Sequence, residues 1–465
     1  MRWSRRPLVC PIVCPIVSFC LFISWGAQAA SSSICLIKPE THEMLAIPAH
    51  GLRAFVRYEK KWSEIPVQID ERDRNGDYVL EHGLPFTANG GDDRFNGNDE
   101  MVIELPANFS GSREFSDAAA RDWLAHLTKR SPTDKAESTP ANSDAIPQMS
   151  RLKITVGPHK APVLLISGLI SGLISKDLRP ASGVDFNPDK SRVTTASYRY
   201  QFNKFNPAAL GQLDIPSEAA KGSGLTTINR DGGFAIWLKP PWLFPTVTKS
   251  YKDIPGAIES WRSGPIRTIV AVGSKYSAFW SLVRAHLFSE LVFYRDRFQI
   301  PSVIEIPFSP ESLLGTDSGF AYGLQMTGKV TSNMDRPDHG PARVSVQHPS
   351  GLILTATVDP VLARAGAMPK VWMGDEAPSE SQAIPPPVIR WFKENDVTTG
   401  FFVDISKMKR GRYDFSLDLQ SPIKANQDHT DFLICKSVWT QVKPNRMAPS
   451  RTVPAQPRSQ FSHEN

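Results

Sequence analysis

The sequence lacks the short motifs that usually identify a reaction or a cofactor. It contains no His-Glu-x-x-His zinc motif, no Cys-x-x-Cys-His haem attachment and no Gly-x-Ser-x-Gly nucleophile elbow. No nucleotide-binding signature is present, and the basic residues form no arginine-rich stripe of the kind that binds nucleic acid. The sequence therefore assigns no catalytic residue, and we expect no zinc, haem, nucleotide or nucleic-acid partner.

Long apolar runs are also scarce, and the clearest one lies at the N-terminus. Three arginines precede an apolar stretch over residues 8–25, and the small residues "AQA" follow at 27–29. This order predicts a secretory signal peptide over residues 1–29. The alternative is an uncleaved anchor, but prolines interrupt the run and a spanning helix needs about 20 apolar residues. We therefore expect a periplasmic or secreted protein with no transmembrane segment after cleavage.

Cysteine is rare beyond this segment, where only Cys35 and Cys435 remain. In an oxidising compartment such a pair predicts a disulfide. Both flanking stretches resemble short strands, and chain termini often lie close together. The alternative is a pair of buried thiols in separate strands.

Proline is abundant, with 39 residues, which is too many for a mainly helical protein. Short segments such as 196–202, 267–276 and 352–358 are rich in β-branched and aromatic residues, and several alternate apolar with polar positions. This pattern predicts a mainly β protein built as a large antiparallel β-sandwich.

A helical pattern over residues 114–130 interrupts the strands, with apolar positions at Ala119, Trp123, Leu124 and Leu127. The next residues are polar and rich in Pro and Ser, as expected of a flexible connector. The predicted organisation is a signal peptide (1–29), an N-terminal β unit with acidic turns (30–112), a helix and flexible linker (113–150), a β-sandwich domain (151–440) and a disordered tail (441–465).

Two acidic stretches, 70–81 and 91–100, suggest a structural calcium site. Asp73, Asn75 and Asp77 have the alternate spacing that directs oxygens at one hard cation, but Tyr78 stands where an EF-hand loop requires glycine. The alternative is a simple hairpin, because Asn-Gly is a strong two-residue turn signal. The candidate calcium ligands are Asp73, Asn75, Asp77, Asp93, Asp99 and Glu100.

Aromatic and basic residues are concentrated in 259–270 and 289–301. Aromatic faces stack on sugar rings, and arginine forks bind carboxylates, so these segments suit an acidic glycan. The alternative is core packing, because strand alternation sends half of the side chains inward. The candidate ligand contacts are Trp261, Arg267, Tyr294 and Arg297.

The segments "PVQID", "RNGD" and "GNDEMVIELPA" within 66–107, "SGPIR" at 263–267 and "FYRDRF" at 293–298 resemble an uncharacterised family of secreted bacterial β-proteins. Members of that family look like galactose-mutarotase-type super-sandwich proteins and often accompany polysaccharide-utilising systems. The resemblance implies a super-sandwich-like fold and a connection with glycans. It implies no catalytic residue.

These observations predict an exported envelope protein that binds a carbohydrate or another periplasmic ligand. One alternative is a carbohydrate-active lyase or epimerase that acts on an acidic glycan through His286, Tyr294 or an arginine. The other alternative is a purely structural envelope protein. The oligomeric state is not predicted.

Overall fold

The chain folds into antiparallel β-sheets with three short helices. A computed structural model describes residues 33–38, 52–58, 61–73, 76–83, 95, 99–106, 112–129, 148–156, 159–167, 183–216, 224–239, 246–278, 283–306, 318–328, 330–335, 341–364, 367–374, 384–406, 411–421 and 433–441. The predicted signal peptide and flexible linker lie outside these ranges, as does the predicted tail beyond Gln441, the last residue of the final described strand. Within them, no helix is long and apolar enough to cross a membrane.

The first half of the chain carries fourteen strands and one helix in the described residues. They are β1 (Ser33–Ile37), β2 (Arg53–Tyr58), β3 (Lys61–Ile65), β4 (Val67–Asp70), β5 (His82–Gly83), β6 (Glu100–Leu105), α1 (Asp117–Lys129), β7 (Gln148–Val156), β8 (His159–Ser167), β9 (Val184–Asn187), β10 (Arg192–Thr195), β11 (Arg199–Gln201), β12 (Gln212–Pro216), β13 (Leu225–Leu238) and β14 (Val247–Ser250).

The second half carries the remaining described strands and two helices. They are β15 (Gly256–Ser263), β16 (Arg267–Ala278), β17 (Val283–Tyr294), β18 (Arg297–Ile306), β19 (Gly319–Met326), β20 (Thr331–Asp335), β21 (Ala342–Gln347), β22 (Ile353–Val358), α2 (Pro360–Arg364), β23 (Pro369–Met373), α3 (Pro386–Glu394), β24 (Thr399–Asp404), β25 (Gly411–Gln420), β26 (Leu433–Ile434) and β27 (Lys436–Gln441).

These strands form two large sheets and two smaller ones. Neighbouring strands are antiparallel except for β1 and β26, which run parallel. Sheet I has the order β23-β24-β19-β13-β12-β11-β10-β9, with β14 also paired to β13; sheet II is β20-β21-β22-β25-β18-β17-β16-β15-β5; sheet III is β26-β1-β6-β4; sheet IV is β27-β7-β8-β2-β3.

Sheets I and II share one large hydrophobic core, which confirms the predicted β-sandwich. Phe234 and Trp237 of sheet I belong to the same buried cluster as Val270 and Phe293 of sheet II. Alternation along each strand supplies these inward residues. Each fully buried large apolar side chain contributes about 1.5–3 kcal/mol relative to exposure, so this core dominates the stability of the sandwich.

The opposite face of sheet II packs on sheet III. Ile269 and Val292 of sheet II cluster with Leu36 and Val102 of sheet III. Because adjacent side chains on a strand point to opposite faces, Cys35 next to Leu36 lies in a different cluster, shared with sheet IV. Sheet III is therefore covered by apolar contacts on both faces.

The predicted helix is confirmed as α1, which covers the outer face of sheet IV. The Ser116 hydroxyl accepts a hydrogen bond from the Ala119 amide at 3.2 Å, as an N-cap does. Leu124 is buried with Leu164 of β8. The rings of Trp123 and Trp62 stack with centroids 4.9 Å apart. The apolar side of α1 thus replaces solvent on this sheet.

The predicted disulfide is confirmed between Cys35 and Cys435. Their Cα atoms are 5.4 Å apart, although 400 residues separate them in sequence. Cys35 lies in β1, and Cys435 directly follows the parallel strand β26. The bond therefore joins the two ends of the described chain within sheet III.

The grouping of strands differs from the organisation expected from sequence. Strand β7 and strand β8 were expected with the linker and the large sandwich, but β8 pairs with β2, and β7 pairs with β27 from the end of the chain. Sheet IV is thus assembled from three distant parts of the sequence. Local patterns carry no information about such long-range pairing.

Candidate functional site

Four of the segments that carry the family resemblance meet between sheets II and III. They place Asp70, Glu100, Arg267 and Tyr294 in one buried polar group with Tyr78, which directly follows "RNGD", and this group is here called the Arg267 cluster. Arg267 is 1% exposed and Asp70 is fully buried. The group is enclosed by the apolar contacts of the two sheets.

Each nitrogen of the Arg267 guanidinium donates to a buried oxygen. Nε donates to Asp70 Oδ2 at 2.7 Å, Nη1 to the Tyr294 hydroxyl at 2.9 Å and Nη2 to Glu100 Oε2 at 2.9 Å. Hydrogen bonds between charged groups are about twice as strong as neutral ones. The arrangement fixes β16 of sheet II against β4 and β6 of sheet III.

The "SGPIR" turn is shaped by Gln68 of "PVQID". Gln68 Oε1 accepts from the amides of Ile266 and Arg267 at 3.1 Å each. Its Nε2 donates to Asp70 Oδ1 at 2.7 Å. A Cβ on Gly264 would lie 2.1 Å from Gln68 Oε1, so only glycine leaves room for this amide. The Gln68 side chain therefore holds the turn against β4 through hydrogen bonds to main-chain amides.

A second guanidinium group, that of Arg72, also pairs with the Glu100 carboxylate. Arg72 Nη2 donates to Glu100 Oε1 at 2.9 Å, and its guanidinium lies 3.7 Å from the centre of the Tyr78 ring. The Tyr78 hydroxyl donates to Glu100 Oε2 at 2.7 Å. Burial alone would raise the pKa of Glu100, but Arg267 and Arg72 outweigh it and lower that pKa to about 2. Glu100 is therefore ionised at neutral pH.

The pKa of Glu290, in β17, is shifted in the opposite direction. Its Oε1 accepts from the Tyr78 amide at 2.7 Å. Burial raises the pKa of Glu290 to about 7, although the Tyr78 amide and Arg72 act against the rise. The same junction therefore holds one carboxyl group with a lowered pKa and one with a raised pKa.

The Arg267 cluster leaves two of the predicted ligand contacts without access to a ligand. Arg267 is 1% exposed and Tyr294 is fully buried, and each bonds to the other. This burial corrects the expectation that they line an exposed binding surface. Removing Arg267 would leave the buried Asp70 carboxylate uncompensated, so the geometry suits a joint between sheets.

The other two predicted ligand contacts lie apart from this interior. Trp261 is partly buried and packs against the large core. It pairs across the strands with His82, which is exposed, and the centres of the two rings are 5.6 Å apart. Arg297 is partly buried, with its guanidinium 5.4 Å from the Tyr294 ring. Ligand binding by Trp261 and Arg297 stays a prediction.

The first acidic stretch forms a tight turn. The Asp77 amide donates to Asp73 Oδ1 at 3.0 Å, and Gly76 adopts φ +87°, a backbone conformation that favours glycine. Asp99 Oδ1 accepts from the Arg72 amide at 2.7 Å. These contacts are consistent with the hairpin alternative.

The calcium prediction is left untested by these contacts. The candidate ligands Asn75 and Asp93 lie outside the described residues. Within the described ranges, no three His, Cys, Asp or Glu side chains are grouped to hold a metal ion. Glu100 is engaged by Arg267, Arg72 and Tyr78 instead.

A second group of polar and aromatic residues, which the sequence did not identify, lies on sheet I. A small cleft opens between β13, β19 and the end of α3, and is called here the Asp231 cleft. It is lined by Asp231, Gly232, Gly233, Tyr251, Gly323, Gln325, Trp391, Asn395 and Val397.

Two glycines opposite each other form the floor of this cleft. Gly233 pairs with Gly323 across β13 and β19. A Cβ on Gly233 would lie 2.1 Å from Cε1 of Tyr251, and one on Gly323 would lie 3.1 Å from Cζ3 of Trp391. The missing side chains let both aromatic rings lie directly on the sheet.

A β-bulge positions the acidic residue of the cleft. The register of β13 against β19 shifts between Asn229 and Gly232, so Asp231 leaves the regular ladder. Its Oδ1 accepts from Asn203 Nδ2 at 2.7 Å and from the Gly232 amide at 2.9 Å. Bulges of this kind re-aim side chains and are common beside functional sites.

Trp391 lines the cleft, and its indole N–H is buried. The residue is 7% exposed, and its Nε1 has no hydrogen-bond partner among the described residues. By contrast, Gln325 Nε2 donates to the Asn395 carbonyl at 3.0 Å. Burial, with a smaller contribution from Asp231, raises the pKa of Tyr251 to about 12, so its hydroxyl stays protonated. The cleft thus presents aromatic, amide and carboxylate groups together.

Comparison with known proteins assigns no family. No family model matches the chain, and no curated protein matches it. An alpha-mannosidase from Enterococcus faecalis V583 is 7% identical, with a TM-score of 0.40 over 89% of this chain and 45% of that one. A glycosyl hydrolase family 38 protein from Enterococcus faecalis is 8% identical, with a TM-score of 0.41 over 91% and 47%.

This chain therefore spans about half of the length of those solved structures. At such TM-scores the likeness identifies neither a family nor a function. The resemblance to galactose-mutarotase-type proteins stays a prediction.

Proposed function

We propose that this protein is an exported carbohydrate-binding β-protein and that its ligand occupies the Asp231 cleft. The convergence of a carboxylate, two amide side chains and two aromatic rings in that cleft carries the proposal.

The composition of the cleft favours a sugar over a purely apolar ligand. The rings of Tyr251 and Trp391 form the apolar part of its lining. Asp231, Gln325 and Asn395 are the polar groups that sugar hydroxyls pair with. Ligand sites commonly combine such aromatic walls with a few polar groups.

The geometry supports binding better than lyase or epimerase chemistry. Of the residues considered for that chemistry, Tyr294 is buried, and its hydroxyl accepts a hydrogen bond from Arg267. Burial also raises the pKa of Tyr294, so the phenol does not readily ionise. The side chain of His286 lies outside the described residues.

Export and the calcium site complete the proposal. The charged, apolar and small-residue order at the N-terminus supports cleavage after residue 29. A structural calcium ion would be held by the acidic turns at Asp73, Asn75, Asp77 and Asp93. A thermal melt with and without chelator tests that part separately, since a holo protein would lose stability on chelation.

Glycan-array screening of the mature protein, followed by calorimetric titration of the best ligand, tests the proposal. Asp231→Asn should weaken that ligand about tenfold, because it removes the charge that polarises sugar hydroxyls. Asp185→Asn is the matched control, since Asp185 is exposed on β9. No binding on the array, or equal affinity for both variants and the unmodified protein, would overturn the proposal.

A further inference from the structure

An exposed aromatic residue extends the Asp231 cleft. Phe205 is 42% exposed, and within the described ranges only Val361 is a more exposed large apolar side chain. Its ring approaches Tyr251 edge-on, with centroids 6.1 Å apart. Since Tyr251 lines the cleft, Phe205 continues the aromatic surface outward from it.

The loop that presents Phe205 is anchored to the cleft. Asn203 Oδ1 accepts from the Phe205 amide at 2.9 Å, and Asn203 Nδ2 donates to Asp231 at 2.7 Å. The next residue, Asn206, donates through Nδ2 to the Ile254 carbonyl at 2.8 Å and is fully buried. Two buried amides therefore hold an exposed ring in place, as preorganised binding sites require.

Two lysines border this aromatic surface. Lys204 Nζ lies 4.9 Å from the Phe205 ring centre, and Lys252 Nζ lies 5.5 Å from the Tyr251 ring centre. Both lysines are exposed, and Lys252 also donates to Asn395 Oδ1 at 3.1 Å. Asp231 supplies the negative charge on the inner side. The surface is thus polarised, with cations at the rim and an anion inside.

We infer that the mouth of the Asp231 cleft binds an acidic oligosaccharide, with one sugar over Asp231 and Gln325 and the next stacked on Phe205, its carboxylate paired with Lys204 and Lys252. This inference rests on the proposed function and adds the ligand class and a second subsite. The polarity sets the orientation, because a carboxylate near Asp231 would be repelled while one at the rim is attracted. A ligand that carries both a sugar ring and a carboxylate would use the aromatic rings and the two lysines beside them together.

Matched acidic and neutral ligands test the charge requirement. The probes are short galacturonate, glucuronate and mannuronate oligomers and their methyl esters, which keep the rings and lose the carboxylate charge. The protein should bind at least one acid about tenfold more tightly than its ester in 50 mM salt, and the ratio should fall as salt is raised. The double variant Lys204→Gln/Lys252→Gln should lose the preference and keep the affinity for the ester.

Matched controls separate local effects from net charge. Lys160→Gln/Lys190→Gln removes two exposed lysines from other strands and turns, and should preserve the preference. Phe205→Ala should weaken disaccharide binding several-fold and leave monosaccharide binding unchanged. Equal binding of acids and esters would overturn this inference but leave the proposed function standing. Failure to bind any saccharide would overturn both.

Discussion

The Arg267 cluster and the Asp231 cleft use the same kinds of side chain in opposite ways. Around Arg267, two guanidinium groups, carboxylates and tyrosines pair with one another between two sheets. In the cleft, a partly exposed carboxylate and two amide side chains meet two aromatic rings at a small opening. Enclosure and pairing mark a joint, whereas polar groups that converge on an opening mark a candidate site.

The largest expected effect comes from breaking the joint. Arg267→Met should lower the free energy of unfolding by about 3–5 kcal/mol, because buried Asp70 would lose the cation it bonds to and Glu100 would keep only Arg72. Urea denaturation followed by tryptophan fluorescence measures the change. Arg295→Met is the matched control: its side chain is 51% exposed in a surface pair with Glu104, and it should cost at most about 1 kcal/mol. Equal costs would show that the cluster is not a joint.

Removing the disulfide should destabilise the same half of the molecule. The double variant Cys35→Ser/Cys435→Ser should lose about 2–5 kcal/mol of unfolding free energy, since the bond closes a loop of 400 residues. Saccharide affinity at the Asp231 cleft should stay unchanged below the melting transition, because the cleft lies on sheet I. A large loss of affinity in the folded variant would mean that the two regions are coupled.

A pH series should distinguish the two carboxyl groups of the joint. Glu100, with a pKa lowered from 4.5 to about 2, stabilises the fold above pH 4.5, and this contribution is lost as the pH falls towards 2. Glu290, with a pKa raised from 4.5 to about 7, stabilises the fold below pH 4.5, and this contribution is lost as the pH rises through 7.

Glu290→Gln isolates the second contribution. The variant should lack the decline in unfolding free energy that the unmodified protein shows between pH 4.5 and 7. Chemical denaturation at each pH measures both curves. Parallel curves across this interval would show that Glu290 does not titrate there.

The smallest effect on stability is expected in the cleft. Trp391→Phe keeps an aromatic ring over Gly323 but leaves a gap beside Trp237 in the core, so the free energy of unfolding should fall by about 1–2 kcal/mol. Saccharide affinity should fall several-fold, because the smaller ring covers less of the cleft lining, and isothermal titration measures the change. Unchanged affinity would mean that the Trp391 ring does not contact the ligand.

Local patterns predicted the sheets better than the site. Strand alternation, the apolar stripe of α1 and the two remaining cysteines indicated the β-sandwich, the helix and the disulfide. Arg267 and Tyr294 were predicted to line one ligand surface. They are hydrogen-bonded to each other, but both are buried between sheets II and III. Sequence gives residue type and strand face, while the presence of sheet III over that face depends on long-range packing.

The cleft was missed for a related reason. Its one local signal was "DGG" at 231–233 inside a strand pattern, which is typical of a bulge or a close approach. The rings of Tyr251 and Trp391 come from distant segments, and nothing local places them over paired glycines. Such convergence becomes visible only once β13, β19 and α3 are side by side.

One comparison of affinities tests the central claim most directly. The best saccharide ligand should be titrated into Asp231→Asn and into Tyr294→Phe, which removes the hydroxyl that Arg267 donates to in the joint. If the cleft is the site and the Arg267 cluster is the joint, Asp231→Asn loses about tenfold in affinity and folded Tyr294→Phe loses none. A loss of affinity in Tyr294→Phe, with full affinity retained in Asp231→Asn, would contradict this assignment of site and joint.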